Sequence, residues 1–166
     1  MKEFYLYLSF KPYVQQWLVS TFGDPVRFPH YSKENAEIRR QACPLPDGCM
    51  PQTRKEGEIA IVIPSSSTRK ADTYNFFTNS AREALKDMIG NLFDCDMKSD
   101  VLQSVENGVG IKFAVRSYMQ RHHISIDHEE TLKQRINRMM MAYRKNNVEI
   151  GNNFAKKMNH KRRKNT

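Results

Sequence analysis

Lys133, Gln134, Asn137, Arg138, Arg144 and Lys145 recur at a spacing that puts them on the outer face of one helix, expected over about 129–146. Arginine and lysine neutralise phosphates and can bond guanine, while asparagine and glutamine can pair with adenine edges. Arg116, on the preceding helix, joins the set. Lys156, Lys157, Lys161, Arg162, Arg163 and Lys164 follow in a basic tail suited to sequence-independent phosphate contact, which weakens steeply with salt. A plain solvated helix face, or one that meets an acidic protein, has the same composition.

Other side chains that could do chemistry fit their patterns poorly. Asp94, Asp96 and Asp100 have the spacing of the first half of a calcium loop. Ser99 stands where that loop needs glycine, Lys98 takes a ligand position, and Val105 replaces the final glutamate. Three carboxylates could hold magnesium for a nuclease, which is the enzymatic alternative. Cys43 and Cys49 are spaced more widely than a usual zinc knuckle, and adding His30, His122, His123 or His128 requires tertiary proximity. Ser65, Ser66 and Ser67 lack the glycines of a nucleophile elbow. There is no phosphate-binding glycine loop. Tyr74, Phe76 and Phe77 could stack on bases but sit beside an expected core helix, where packing is the simpler role. The reading is therefore of a non-enzymatic protein with no cofactor and no metal.

The elements that must carry these residues are legible in part. Residues 4–10 suit a strand buried on both faces or at a sheet centre. Pro12 opens a helix bearing Tyr13, Trp17 and Leu18, and Gly23 stops it. Val26–Phe28 is a short strand candidate. Ser32 caps a helix over about 33–42. The prolines and glycines of 43–57 spell a loop, and Ile59–Ile63 is the clearest strand. Helices are expected over 78–94, 98–106, 111–123 and 129–146, with Asp127 as the last N-cap. Leu132, Ile136, Met139, Met140 and Tyr143 should face inward. The segment after Gly151 has little to bury and is expected to be flexible.

These elements imply an α+β fold: a small mixed β-sheet with packed helices at the N-terminal side, then a helical half with a helix-turn-helix-like pair. The boundaries expected are 1–66, 67–150 and 151–166, with one continuous domain over 1–150 as the alternative.

Charge sharpens the reading. Residues 1–70 hold 10 basic and 7 acidic side chains, 71–110 hold 3 and 7, and 111–166 hold 14 and 4. The last third thus carries more than the whole net charge of +9, and such a local field attracts polyanions. Three cysteines and no apolar run of membrane-spanning length suggest reduced thiols and a cytoplasmic setting.

Several segments resemble a group of small uncharacterised proteins of Bacteroidales genomes and mobile elements. They are Pro12-Tyr13 leading to Gln16-Trp17, Pro25-Val26-Arg27-Phe28, Ser32 to Asn35, Ala60-Ile61-Val62-Ile63-Pro64, Tyr74-Asn75-Phe76 and Ala81-Arg82-Glu83-Ala84-Leu85. Tyr118-Met119 with His123-Ile124, before a helix rich in Arg, extends the likeness over most of residues 1–145. The resemblance implies a mobile-element or phage-like setting and transfers no catalytic residue. The function expected is nucleic-acid binding, with duplex DNA ahead of RNA. Binding of an acidic protein is the first alternative, and a homodimer is one option for assembly.

Overall fold

The structure, a computed structural model, describes the backbone of residues 2–163 and the side chains of residues 2–146. The first strand, β1, spans Tyr5–Leu8. Leu6 and Leu8 are fully buried, whereas Tyr5 and Tyr7 are only half covered. This is the period-two burial of a one-sided strand, which corrects the expectation of a strand buried on both faces. Helix α1, Pro12–Phe22, opens on Pro12 and stops at Gly23, whose φ of 85° suits a residue without Cβ.

Helix α2, Lys33–Gln41, begins where the Ser32 side chain accepts from the Asn35 N–H at 3.1 Å. Asn35 itself is buried, and its Nδ2 donates to the carbonyls of Phe28 at 3.0 Å and Pro29 at 2.9 Å. Strand β2, Cys43–Pro44, pairs antiparallel with β4, Tyr74–Phe76. The 43–57 stretch is expected to be loop throughout, so this short ladder is an addition. Strand β3, Ile59–Val62, pairs antiparallel with β1, matching Tyr5 with Val62 and Leu8 with Ile59. Val26 lies parallel to β3 through one bridge to Ile61, which is all that forms of the strand expected at 26–28. The fold is α+β, with two small antiparallel sheets in the N-terminal half and helices after them.

Helix α3 spans Asn79–Glu106 without interruption, where two helices were expected. Ala81, Leu85, Ile89, Phe93, Met97 and Val101 all point into the core at four-residue spacing. That stripe carries the helix through the polar stretch 94–100, because the carboxylates there project to other faces. Helix α4, Ile111–Arg121, ends two residues earlier than expected, and His123 takes a φ of 52°. Ser125, rather than Asp127, caps the connection: its Oγ accepts from the Asp127 N–H at the start of a 3-10 turn, Ile126–His128.

Helix α5 then runs over Glu129–Arg163, well beyond the expected end near 146 and through the segment read as flexible. Among the described residues no helix is long and apolar enough to cross a membrane. One contiguous core joins both halves, from Leu6 to Met140. Phe93 of α3 is its aromatic junction, with ring centroids 5.4 Å from Trp17, 5.6 Å from Tyr13 and 6.4 Å from Tyr118.

Candidate nucleic-acid interface

The inner face of α5 follows the expected period. Leu132, Ile136 and Met140 are buried, and Met139 packs partly against the core. Tyr143 departs from it and is 52% exposed. Among the described residues Met140 is the last buried side chain of α5, and the Tyr143 ring lies under the Lys98 ammonium, 5.1 Å from its centroid. On α4, Ala114, Val115, Tyr118 and Met119 are buried. The Ser125 N–H donates to Gln16 Oε1 at 2.9 Å, and Ile124 is buried, so the connection between α4 and α5 is fastened to α1.

The basic side chains divide into two groups along α5. Near its start, charges are paired locally. Arg116 Nε lies 2.7 Å from Glu129 Oε2, and Lys133 Nζ lies 3.3 Å from Glu130 Oε2. Gln134 also donates to Glu130, at 3.4 Å. Asn137 is half buried. Further along, Arg138, Arg144 and Lys145 are exposed and make no ion pair among the described residues. Exposed pairs such as Lys133–Glu130 contribute about 0–1 kcal/mol, so a phosphate can displace them at small cost. Lys156, Lys157, Lys161, Arg162, Arg163 and Lys164 lie outside the residues with described side chains. Lys98 is an addition: it stands beside the distal part of α5 but belongs to α3, so no local pattern could announce it.

Arg135, at the flank of the basic face, is committed elsewhere. Its guanidinium makes two 2.6 Å bonds to the Asp94 carboxylate, which hold its pKa above the usual arginine value and clamp α5 to α3. Asp100 similarly accepts from Arg121 at 2.5 Å. Asp96 accepts from Trp17 Nε1 at 3.0 Å and from the Tyr118 hydroxyl at 2.8 Å. Burial first, then the Asp96 carboxylate, push the Tyr118 hydroxyl pKa up. The three carboxylates considered for magnesium thus each face a different partner set, four hydrogen-bonding side chains in all.

No group of three or more His, Cys, Asp or Glu side chains converges on a metal position among the described residues. Ser65 Oγ and Ser66 Oγ accept from the N–H groups of Ala71 and Arg69, which is turn chemistry. Phe77 is buried and Tyr74 lies under the Arg69 guanidinium, 5.2 Å away. Comparison of the chain with protein-family models, with curated proteins and with solved structures gives no match.

Proposed function

We propose that this chain binds nucleic acid without catalysing a reaction, and that the contact lies on the distal part of α5. The observation that carries this reading is the exposure of Arg138, Arg144 and Lys145, unpaired among the described residues, on a helix whose side chains from residue 141 to residue 146 are all exposed. A helix about 10–12 Å across fits the major groove of duplex DNA, which is about 12 Å wide. Duplex DNA is therefore preferred to RNA, whose deep, narrow major groove excludes side chains.

Within the α4–α5 pair, the usual helix-turn-helix reading uses the first residues of the second helix. Here those residues are Glu129 and Glu130, already bound to Arg116 and Lys133. Phosphate is repelled by such a start, so the contact shifts along the helix toward residues 138–145, with the basic residues 156–164 adding sequence-independent affinity. Cys43, Cys49 and Cys95 are free thiols, in keeping with a cytoplasmic setting. The likeness to mobile-element proteins suits a DNA-binding accessory role. An acidic protein partner for the same cations is the second reading.

The test is affinity for duplex DNA, single-stranded DNA and RNA across a salt series. Duplex should bind best, with a steep salt slope. Lys133→Glu/Arg144→Glu and Arg138→Glu/Lys145→Glu should both weaken binding severely. Nucleic-acid affinity that ignores both double variants, or none at low salt, overturns the reading.

A further inference from the structure

The outer edge of β1 has backbone groups that are oriented but unused. The Ile63 N–H donates to the Phe4 carbonyl at 2.9 Å, and the register pairs Leu6 with Ile61 and Leu8 with Ile59. Hydrogen-bonded and non-hydrogen-bonded pairs alternate along an antiparallel ladder. Phe4, Leu6 and Leu8 therefore turn their backbone groups toward β3, and Tyr5 and Tyr7 turn theirs to the opposite edge. The alternation is consistent on the far side of β3, where Val26 bonds Ala60 at 2.8 Å and Val62 at 2.9 Å. No strand pairs with the outer edge of β1 among the described residues, and no hydrogen bond reaches the backbone of Tyr5 or Tyr7 there.

Two adjoining clefts, of about 480 and 430 Å³, share Lys2, Glu3, Phe4 and Asp72; the second runs along this edge, and the first continues from it past the start of β1. Phe4, Ile63 and Pro64 give the first an apolar lining. The second contains Tyr5 and Tyr7 together with Leu45, Pro51 and Gln52 of the 43–57 segment. An occupant must fit between the strand and that segment, which suits a single extended chain rather than the edge of another sheet. The charges select further. Glu3 is neutralised by Arg27 at 2.8 Å, which leaves Lys2 and Lys70 against the single carboxylate of Asp72.

We propose that this edge takes up an extended, acidic peptide segment of a partner protein as an added strand beside β1. Backbone bonds to Tyr5 and Tyr7 supply the affinity, and alternate side chains supply the choice. An aliphatic side chain would lie over Phe4, Ile63 and Pro64, and an acidic one toward Lys2 and Lys70. This surface is distinct from α5, so the proposal stands apart from nucleic-acid binding.

The test uses the full chain and ten-residue peptides in which valine alternates with glutamate or with lysine. The Val/Glu peptide should bind and slow amide exchange at Tyr5 and Tyr7, while the Val/Lys peptide should bind about tenfold more weakly or worse. Two further Val/Glu peptides are N-methylated on every valine or on every glutamate. Only the set whose amides face β1 should lose about tenfold or more, because each lost bond removes a few-fold in affinity. Tyr7→Pro, which removes an outward N–H and none of the β1–β3 bonds, should have the same effect. The N-methylated pair keeps the test decisive should that variant not fold. Absence of binding, equal loss from both methylated peptides, or protection of Tyr5 and Tyr7 that grows with protein concentration alone overturns the proposal. The last of these would assign the edge to a second copy.

Discussion

Tyr118 donates its hydroxyl to Oδ2 of Asp96 at 2.8 Å, and Trp17 Nε1 reaches the same oxygen at 3.0 Å. Both donors come from fully enclosed rings, and a single carboxylate on α3 serves helices α1 and α4 at once. Replacing Asp96 with alanine leaves an indole N–H and a phenol without an acceptor, each worth about 1–3 kcal/mol when buried. Asp96 is itself partly open to water, which reduces the loss. Asp96→Ala should cost about 2 kcal/mol in urea unfolding, and Asp96→Asn, which keeps a carbonyl oxygen, about half of that. Unchanged unfolding midpoints in both variants would show that the shared carboxylate does not hold α1 and α4 together.

His122 stands beside this carboxylate, with Nε2 3.9 Å from Asp96 Oδ2 and Nδ1 3.4 Å from Thr21 Oγ1. Its pKa lies below the ordinary 6.5, chiefly because burial disfavours the charged ring. Asp96 and Asp100 oppose that shift, and Arg121 and His123 add to it. The sign follows from proton counts. Between the depressed folded value and 6.5, the unfolded chain binds the proton and the folded chain does not. The contribution of His122 is therefore intact above pH 6.5 and is lost as pH falls from there to the folded value. Unfolding free energy measured from pH 8 to 5 should decline for the parent and decline less for His122→Gln. Parallel curves would remove His122 as the cause.

What could be read from residue order was local. Pro12, Gly23 and the Ile59–Ile63 run specify α1 and β3 through near neighbours, and both appear where expected. Strand β2 was illegible because Cys43 pairs with Phe76, 33 positions away. Asp94, Asp96 and Asp100 suggested a helix end, since their partners Arg135, Tyr118 and Arg121 arrive only with the tertiary fold. The candidate interface behaves likewise. The helical period correctly placed Arg138, Arg144 and Lys145 outside, but the Arg116–Glu129 pair joins two helices across a turn, and no spacing rule announces it.

Asn35 offers a sharper test of a buried polar group. It is 6% exposed, and its amide bridges the Phe28 and Pro29 carbonyls. Asn35→Ala should cost about 1–3 kcal/mol, since two carbonyls lose their donor. Asn35→Asp should cost more, because a carboxylate would face two carbonyl oxygens in place of a donor. Thermal unfolding that ranks the aspartate variant above alanine would contradict the assigned orientation of the amide.

The final prediction separates the two basic groups of the C-terminal part. A chain ending at Gly151 lacks Lys156, Lys157, Lys161, Arg162, Arg163 and Lys164, six cations in all, and keeps Arg138, Arg144 and Lys145. Among the described residues Met140 is the last buried side chain of α5, and it lies ahead of the cut. Each phosphate contact contributes about 0.9 to the slope of log affinity against log salt. If all six cations meet duplex phosphates, the truncated chain should show a slope shallower by about 5, while keeping residual duplex binding. Arg144→Glu/Lys145→Glu in the truncated chain should then abolish what remains. Equal slopes for the full and shortened chains would mean that residues 156–164 do not touch the duplex and that residues 138–145 carry the contact alone.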